Sequence, residues 1–191
     1  MAKKELKVQP YLAPMPVLMI ATYGENDKVD VMNMAWGGIC DSDKVALNIG
    51  ADHKTSENIR ARKAFTISVA DVPHMAESDF FGIATGNKMG DKFERTGMHA
   101  VRSAKVDAPI IEEYPLTLEC EVIIDDEESG WHRVIGKIVG VLCDEDKLDE
   151  KGRPDFARLN LFAFDQFSSG YYAMGEKVGQ AWNAGAGLMK G

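Results

Sequence analysis

The sequence contains no run of about 20 apolar residues, the length that a helix needs to cross the hydrocarbon core of a bilayer. The apolar run Val17–Ala21 follows a lysine-containing N-terminal segment. It is short, however, comes directly after Pro14 and Pro16, and leads into a turn rather than a cleavage site. We therefore expect neither a membrane span nor a secretory signal peptide, and we expect a cytoplasmic protein.

Cysteine is also scarce. The three cysteines, Cys40, Cys120 and Cys143, are odd in number, widely spaced and without a C-x-x-C pair. This pattern excludes a disulfide framework and indicates a reducing compartment. The histidines have no zinc-ligand spacing with these cysteines, so no metal site is predicted.

Two catalytic or nucleotide-binding fingerprints are missing as well. The chain has neither the G-x-G-x-x-G pattern of dinucleotide-binding folds nor the G-x-S-x-G pattern of serine hydrolases. No nucleophile is paired with a recognisable base, and Cys40 has no histidine partner in the sequence pattern. We therefore predict no protein catalytic residue.

Positive charge is in deficit, with 22 lysines and arginines against 30 aspartates and glutamates and a net charge of −8. A protein that binds nucleic acid needs a basic stripe, which this chain lacks, so no nucleic-acid partner is expected. An anionic ligand must therefore be held by a local arrangement of donors. The 191 residues are most simply one domain, 1–191, large enough to bury a core without disulfides.

Short β-type segments dominate what is present. Six of them are predicted as strands: Val17–Thr22, Val29–Trp36, Val45–Ile49, Phe65–Ala70, Leu116–Ile124 and Trp131–Cys143. Gly37-Gly38 is expected to break the second of these. No βαβ alternation occurs, which favours a mainly β fold, a closed or partly closed antiparallel barrel with helical insertions.

Glycines in the last strand and the alternation of residues in Leu116–Ile124 predict two further structural features. Gly136 and Gly140 lie inside the last strand, where glycine is typical of bulges or sharp bends. In Leu116–Ile124 the period of two places Thr117, Glu119 and Glu121 on one face, so we expect a half-exposed strand with this face toward solvent.

The first helix is predicted over Thr55–Lys63, directly after Gly50-Ala51-Asp52-His53-Lys54. A helix N-terminus presents free N–H groups and partial positive charge, and here a lysine, an imidazole and two hydroxyls surround it. These groups suit a phosphate monoester. A plain helix cap with a surface lysine explains the same local pattern, and Asp52 opposes an anion.

A second candidate is the segment Val31–Gly38, which includes Asn33-Met34-Ala35-Trp36. Asparagine is disfavoured inside strands, so its presence here suggests a function, and Asn33 could hydrogen-bond a polar ring edge. Trp36 could pack against an aromatic ligand. The alternative is a strand that ends in a turn, with Trp36 in the core.

A third candidate segment, Thr85–Phe93, contains Thr85, Gly86 and Lys92 and could close over a phosphate or ribityl chain. It could equally be a flexible loop between a helix predicted from Pro73 to Thr85-Gly86 and a short helical turn over Asp91–Thr96. The tail around Tyr171 could cover a ligand or a neighbouring subunit, or simply pack.

The ordered set of these segments resembles the flavin reductase-like family of FMN-binding split barrels, particularly its flavoredoxin-like members. The resemblance covers roughly residues 10–175. It is carried by Pro16–Ile20, Asn33–Trp36, His53-Lys54-Thr55 with Asn58-Ile59, Phe65–Val69, Gly86 with Asp91-Lys92-Phe93, Pro109-Ile110 and Leu118-Glu119-Cys120. The turn Asp41–Lys44 departs from the proline-rich turn of many members.

The resemblance implies a six-stranded, Greek-key-like antiparallel split barrel, a homodimer, and FMN bound near the subunit interface. Asn33, Met34, Ala35 and Trp36 would lie along the flavin. Gly50, Ala51, His53, Lys54 and Thr55 would take the ring edge and the phosphate, and Thr85, Gly86 and Lys92 would close the phosphate site.

The resemblance further implies an oxidoreductase that moves hydride or electrons between NAD(P)H or a redox partner protein and FMN. Two other functions stay open at this point. One is a flavoredoxin-type electron carrier with tightly bound FMN and no direct NAD(P)H activity. The other is a non-enzymatic split barrel that binds a different ligand, such as haem, or none.

Overall fold

The computed structural model describes residues 1–189. In this range the chain forms twelve strands and two α-helices. The helices are α1 (Lys54–Arg62) and α2 (Met75–Ile83). The strands are β1 (Met15–Pro16), β2 (Leu18–Tyr23), β3 (Val29–Met34), β4 (Gly37–Asp41), β5 (Lys44–Gly50), β6 (Ala64–Val69), β7 (Ala100–Arg102), β8 (Pro109–Ile111), β9 (Leu116–Glu128), β10 (Trp131–Cys143), β11 (Phe162–Asp165) and β12 (Gly170–Ala173).

The main sheet is antiparallel and closes into a barrel. Its seven strands are ordered β3-β2-β6-β9-β10-β5-β4, so β3 and β4 lie at opposite edges. Only Ala35 and Trp36 separate these two strands in the chain, and a segment of that length spans no more than about 10 Å. The edges must therefore meet, and Trp36 is hydrogen-bonded there, its carbonyl accepting from the N–H of Asn48 at 3.0 Å.

The barrel differs from the expectations in two respects, the role of Gly37-Gly38 and the number of strands. Gly37 and Gly38 do not end the strand region but begin β4, because the chain bends at Ala35-Trp36 and crosses from one sheet edge to the other. By hydrogen bonding the sheet has seven strands, against the six that the resemblance implies. The mainly β, antiparallel fold class is confirmed.

The barrel interior is apolar and includes Leu47, Phe65 and Val134, which are almost fully buried. β10 curves around it through two register shifts, between Ile135 and Gly136 and between Ile138 and Gly140. Both predicted glycine irregularities are thus confirmed. At Gly136 a Cβ would lie 2.4 Å from Cζ of Phe65, so only glycine lets the strand pass this ring.

The polar face of β9 is exposed at Glu121, as expected, but not at Thr117 and Glu119. Thr117 and Glu119 are each 2% exposed, and the loop between β7 and β8 packs on Glu119. Ser103 in that loop donates a hydrogen bond to Glu119 Oε1 at 2.6 Å, and Ser68 and Thr117 join their hydroxyls at 2.8 Å. The sequence period located the face correctly, but not the element that packs on it.

The remaining elements are not part of the seven-stranded sheet. A 3-10 turn over Val72–His74 precedes α2, which therefore starts slightly later than predicted and ends at Ile83. Strands β1, β11 and β12 form a separate three-stranded sheet in the order β1-β11-β12. Within residues 1–189, neither helix has the length and apolar character to cross a membrane.

Candidate functional site

A large cavity of about 500 Å³ opens at the point where the barrel closes. Its walls are mainly apolar and come from β3, the β3–β4 link, β5, α2 and the β11–β12 hairpin. The apolar lining residues are Met32, Met34, Ala35, Trp36, Ile49, Ile83, Trp131 and Phe164. A volume of this size and lining is typical of sites for drug-sized or cofactor-sized molecules.

A small cavity of about 140 Å³ continues from the large one and is polar. Five residues line both cavities, so the two are contiguous: Met32, Asn33, His53, Gly82 and Ile83. The small cavity also contains Lys54 and Thr55, the first two residues of α1. The first N–H groups of an α-helix have no intrahelical acceptor, so this end of the site offers backbone donors as well as a lysine.

A buried ion pair lies at the small cavity. Nζ of Lys92 is 2.8 Å from Oδ1 of Asp30, and the hydroxyl of Thr55 donates to the other oxygen, Oδ2, at 2.9 Å. All three side chains are nearly inaccessible to solvent. Lys92 and Thr55 are thus held in place by Asp30, while Lys54 pairs with the exposed carboxylate of Glu57 at 2.7 Å and stays at the surface.

The loop after α2 closes this end of the site. Thr85 and Gly86 line the small cavity, and the side chain of Asn87 donates to the carbonyl of Asp52 at 2.7 Å. Gly86 is required by close packing, since a Cβ there would lie 2.5 Å from Oδ1 of Asp30. The loop and the turn before α1 are therefore fixed to each other across the small cavity.

Helix α2 adds residues that the sequence motifs did not reveal. Asp79, Gly82 and Ile83 are spaced i, i+3 and i+4, which places them on one helix face, and all three line the large cavity. The hydroxyl of Tyr171 on β12 donates to Oδ1 of Asp79 at 2.8 Å. Partial burial, together with the hydrogen bond to Asp79 and its charge, raises the pKa of Tyr171 to about 12.

Asn33 is held by the same helix. Its side-chain amide donates to the carbonyl of Ser78 at 2.9 Å, which fixes the side chain at the junction of the two cavities. Near it, Nδ1 of His53 lies 3.2 Å from the sulfur of Met32. The unusual asparagine inside a strand therefore has a structural partner in α2 as well as a place at the site.

The structure brings eleven of the twelve predicted site residues to the two cavities. Asn33 and His53 line both; the large cavity also has Met34, Ala35, Trp36 and Gly50, and the small one has Lys54, Thr55, Thr85, Gly86 and Lys92. Ala51 lines neither. Its N–H donates to Gly130 and its carbonyl accepts from Arg60, so both of its backbone groups are already bonded.

The arrangement suits one class of ligand in particular. A planar, largely apolar ring system fits between the walls of the large cavity, and hydrogen-bonding groups of Asn33, Asn48 and Tyr171 are available at its border. A chain from that ring into the small cavity would bring a terminal phosphate to Lys54 and the N-terminus of α1. The residues present thus fit a flavin mononucleotide, ring and phosphate together.

Comparison with known proteins agrees with this geometry. A family model described as "Flavin reductase like domain" matches residues 11–170. Flavoredoxin of Desulfovibrio vulgaris (Miyazaki F) is 33% identical, with 96% of this chain and 100% of that chain covered and a TM-score of 0.91. Flavoredoxin from Methanosarcina acetivorans is 21% identical, with 98% and 100% covered and a TM-score of 0.88.

A more distant solved structure, an FMN-binding protein from Thermus thermophilus, is 17% identical, with 94% of this chain and 97% of that chain covered and a TM-score of 0.76. At this identity the likeness shows the fold alone. The family match extends over most of the chain, and the identity to the Desulfovibrio protein extends over nearly all of it. The chain is therefore a flavin reductase-like domain and belongs to the flavin reductase-like family of split barrels.

Proposed function

We propose that this protein binds FMN in the two contiguous cavities and acts as a flavin reductase-like oxidoreductase, moving hydride or electrons between NAD(P)H or a redox partner and the flavin. The observation that carries the proposal is the junction of an apolar cavity of about 500 Å³ with a polar cavity of about 140 Å³ at the N-terminus of α1. Membership of the flavin reductase-like family supports the choice of ligand.

The residues have separate tasks in this proposal. Met34, Ala35 and Trp36 form part of the wall along the ring, and Asn33 stands where ring and ribityl chain would meet. Lys54 and the first N–H groups of α1 hold the phosphate. Thr55 and Lys92 act mainly through Asp30, since their polar groups already bond its carboxylate.

Bound FMN supplies the hydride and electron chemistry, while the protein supplies binding, orientation and electrostatics. No protein acid or base is required for such a transfer. Ile83 is 76% exposed and Trp131 is 51% exposed although both line the large cavity, so the cavity is open beside them. A nicotinamide or a partner protein would approach from this open side.

A second candidate function is a flavoredoxin-type electron carrier with tightly bound FMN and no direct activity with NAD(P)H. The 33% identity to a protein named flavoredoxin over nearly the whole chain favours it. The two functions differ in how the bound flavin is reduced.

Anaerobic mixing of the FMN-loaded protein with NADH and, separately, NADPH distinguishes them. Bleaching of the visible flavin band on the time scale of turnover, much faster than for free FMN, supports the reductase. A band that persists with both nucleotides but bleaches with dithionite supports the carrier. Absence of any flavin binding contradicts both and leaves a barrel for another ligand.

We also propose a homodimer. Large apolar side chains are exposed on β4 and β10, among them Ile39 at 68% and Val141 at 55%. Exposed apolar side chains of this size are candidates for burial between subunits. The mass in solution, measured by light scattering across a dilution series, tests this; a monomer at all micromolar concentrations contradicts it.

A further inference from the structure

The large cavity contains a carboxylate that the proposed FMN binding does not need. Asp79 lies on the cavity face of α2, and its only hydrogen-bond donor among the described side chains is the phenol of Tyr171, at 2.8 Å. Carboxylates are uncommon in mainly apolar cavities unless a charge or several donors stabilise them. Its presence beside the proposed flavin ring site therefore calls for a functional explanation.

The charges around Asp79 are unbalanced. The titratable residues that line the large cavity in residues 1–189 are His53, Asp79 and Tyr171, with no lysine or arginine among them. Lys92 and Lys54 stand at the small cavity, and each is already paired with a carboxylate, Asp30 and Glu57 respectively. Within the described residues Asp79 has no ion-pair partner within 4.0 Å.

Adjacent groups on the packed elements do not compensate this charge. Tyr171 stays a neutral phenol at neutral pH, since the pKa of its hydroxyl is raised to about 12 by partial burial and by Asp79 itself. Asn33, which faces Tyr171 from β3, is an uncharged amide. The ring end of the site is thus negative, and the phosphate end contains the lysines.

We propose that Asp79, held by Tyr171, is an electrostatic tuning residue that favours oxidised over reduced FMN and so makes the bound flavin a stronger reductant. The reason is that reduction adds electrons to the ring system, and a negative charge on the wall of the same mainly apolar cavity opposes that addition. This inference rests on the proposed FMN binding, and it deepens it by assigning a role to a residue outside the sequence motifs.

The test is the ratio of the dissociation constants of oxidised and reduced FMN, measured anaerobically for the wild type and for Asp79→Asn. By thermodynamic linkage this ratio reports the shift in the flavin's midpoint potential, and it is defined even for a variant that binds flavin weakly. We expect Asp79→Asn to favour reduced FMN by at least about tenfold, which for a two-electron couple is an upward shift of about 30 mV.

Glu77→Gln is the matched control. It removes the same charge from the same helix, but Glu77 lies on a different surface, beside Phe80 and Arg95. We expect the ratio of the two dissociation constants in Glu77→Gln to stay within about twofold of the wild type, because Glu77 does not line the large cavity and solvent screens its charge.

A second readout does not involve the flavin. In the flavin-free protein, Asp79→Asn should lower the pKa of Tyr171 toward its ordinary value, as followed by NMR of labelled tyrosine. An unchanged or decreased preference for reduced FMN in Asp79→Asn, or an equal shift in Glu77→Gln, overturns the inference while leaving FMN binding intact. Failure of the wild type to bind FMN in either state overturns the proposed function and this inference with it.

Discussion

Oδ1 of Asp30 lies 2.8 Å from Nζ of Lys92, and the two side chains are only 8% and 5% exposed. The remaining oxygen of Asp30 accepts a hydrogen bond from Thr55, at the start of α1. This pair therefore links β3, α1 and the loop after α2 at the small cavity. It stabilises the wall of the site, and it leaves Lys54 as the lysine that remains at the surface of the phosphate end.

Asp30→Ala should destabilise the protein strongly, because it leaves the ammonium of Lys92 buried without its partner. Removing one member of a buried pair costs on the order of 3–5 kcal/mol in the free energy of unfolding. Urea denaturation at pH 7 measures this. The double variant Asp30→Leu/Lys92→Met should recover most of the stability, since buried apolar residues of similar volume need no partner.

The control for this prediction is Asp41→Ala, which removes an exposed ion pair with Lys44. Its urea midpoint should be almost that of the wild type, because exposed pairs contribute little. An Asp30→Ala variant that unfolds at the wild-type midpoint would contradict the assigned role of the buried pair.

Lys54→Gln should weaken FMN binding and leave riboflavin binding nearly unchanged, because riboflavin lacks the phosphate. The loss of one charge-assisted hydrogen bond corresponds to about 1.5 kcal/mol, roughly tenfold in the dissociation constant. Thr55 is a poorer choice for this test, since Thr55→Ala also removes a hydrogen bond to buried Asp30.

Lys151→Gln provides the matched control for Lys54, because it changes the net charge equally at an exposed position outside both cavities. It should bind both flavins as the wild type does. Equal losses of FMN and riboflavin affinity in Lys54→Gln would show that Lys54 does not recognise the phosphate.

Gly136→Ala should lower the free energy of unfolding by about 1–3 kcal/mol, the usual cost of overpacking a core. The added Cβ would lie 2.4 Å from the ring of Phe65, which is fully buried and cannot move freely. Gly38→Ala is the control, as no atom lies within 4 Å of its added Cβ, and we expect a change within about 0.5 kcal/mol. Thermal or urea unfolding measures the free energy of unfolding of the two variants. Equal values for Gly136→Ala and Gly38→Ala would contradict the packing described for β10.

The lowered pKa of the Asp125 carboxyl predicts how the stability of the fold depends on pH. Partial burial raises its pKa, but hydrogen bonds from Lys63 and from buried His132, the latter at 2.6 Å, outweigh burial and keep the pKa below its ordinary value. A carboxyl whose pKa is lower in the folded state stabilises the fold above its unfolded pKa of about 4 and loses that contribution as the pH falls through the folded value.

Asp125→Asn should therefore be less stable than the wild type at pH 7, and the difference should shrink progressively below about pH 4. Urea midpoints at several pH values between 7 and 3 measure this. Asp126→Asn, at the neighbouring exposed position, should follow the wild-type curve. A stability difference for Asp125→Asn that stays constant with pH would refute the assigned cause.

The parts of the fold and site that the sequence predicted are those with local signals. The start of α1 is encoded within a few residues around His53, and the bulges of β10 are encoded by glycines at Gly136 and Gly140. The candidate residues on β3 share one short segment. In each case the physical cause and the residues that show it lie next to each other in the chain.

What the sequence did not predict depends on contacts between distant segments. Asp79 and Tyr171 are hydrogen-bonded although they are 92 positions apart in the sequence. No sequence motif around either residue predicts this contact. Thr117 and Glu119 follow the period of an exposed face, yet both are buried, and Ser103 from the loop between β7 and β8 donates a hydrogen bond to Glu119. The partner of Lys92 was likewise not predictable, since Asp30 belongs to a strand far from it in the sequence.

The central claim is that FMN occupies the two contiguous cavities, and an equilibrium titration of the flavin-free protein with FMN tests it most directly. Wild type should bind one FMN per chain. Gly82→Phe should lose that binding, because its side chain begins 3.3 Å from Cβ of Asn33, where the cavities join. Ala76→Phe, a control on the same helix outside both cavities, should bind normally. Wild type that binds no FMN, or Gly82→Phe that binds as tightly as wild type, would contradict the account.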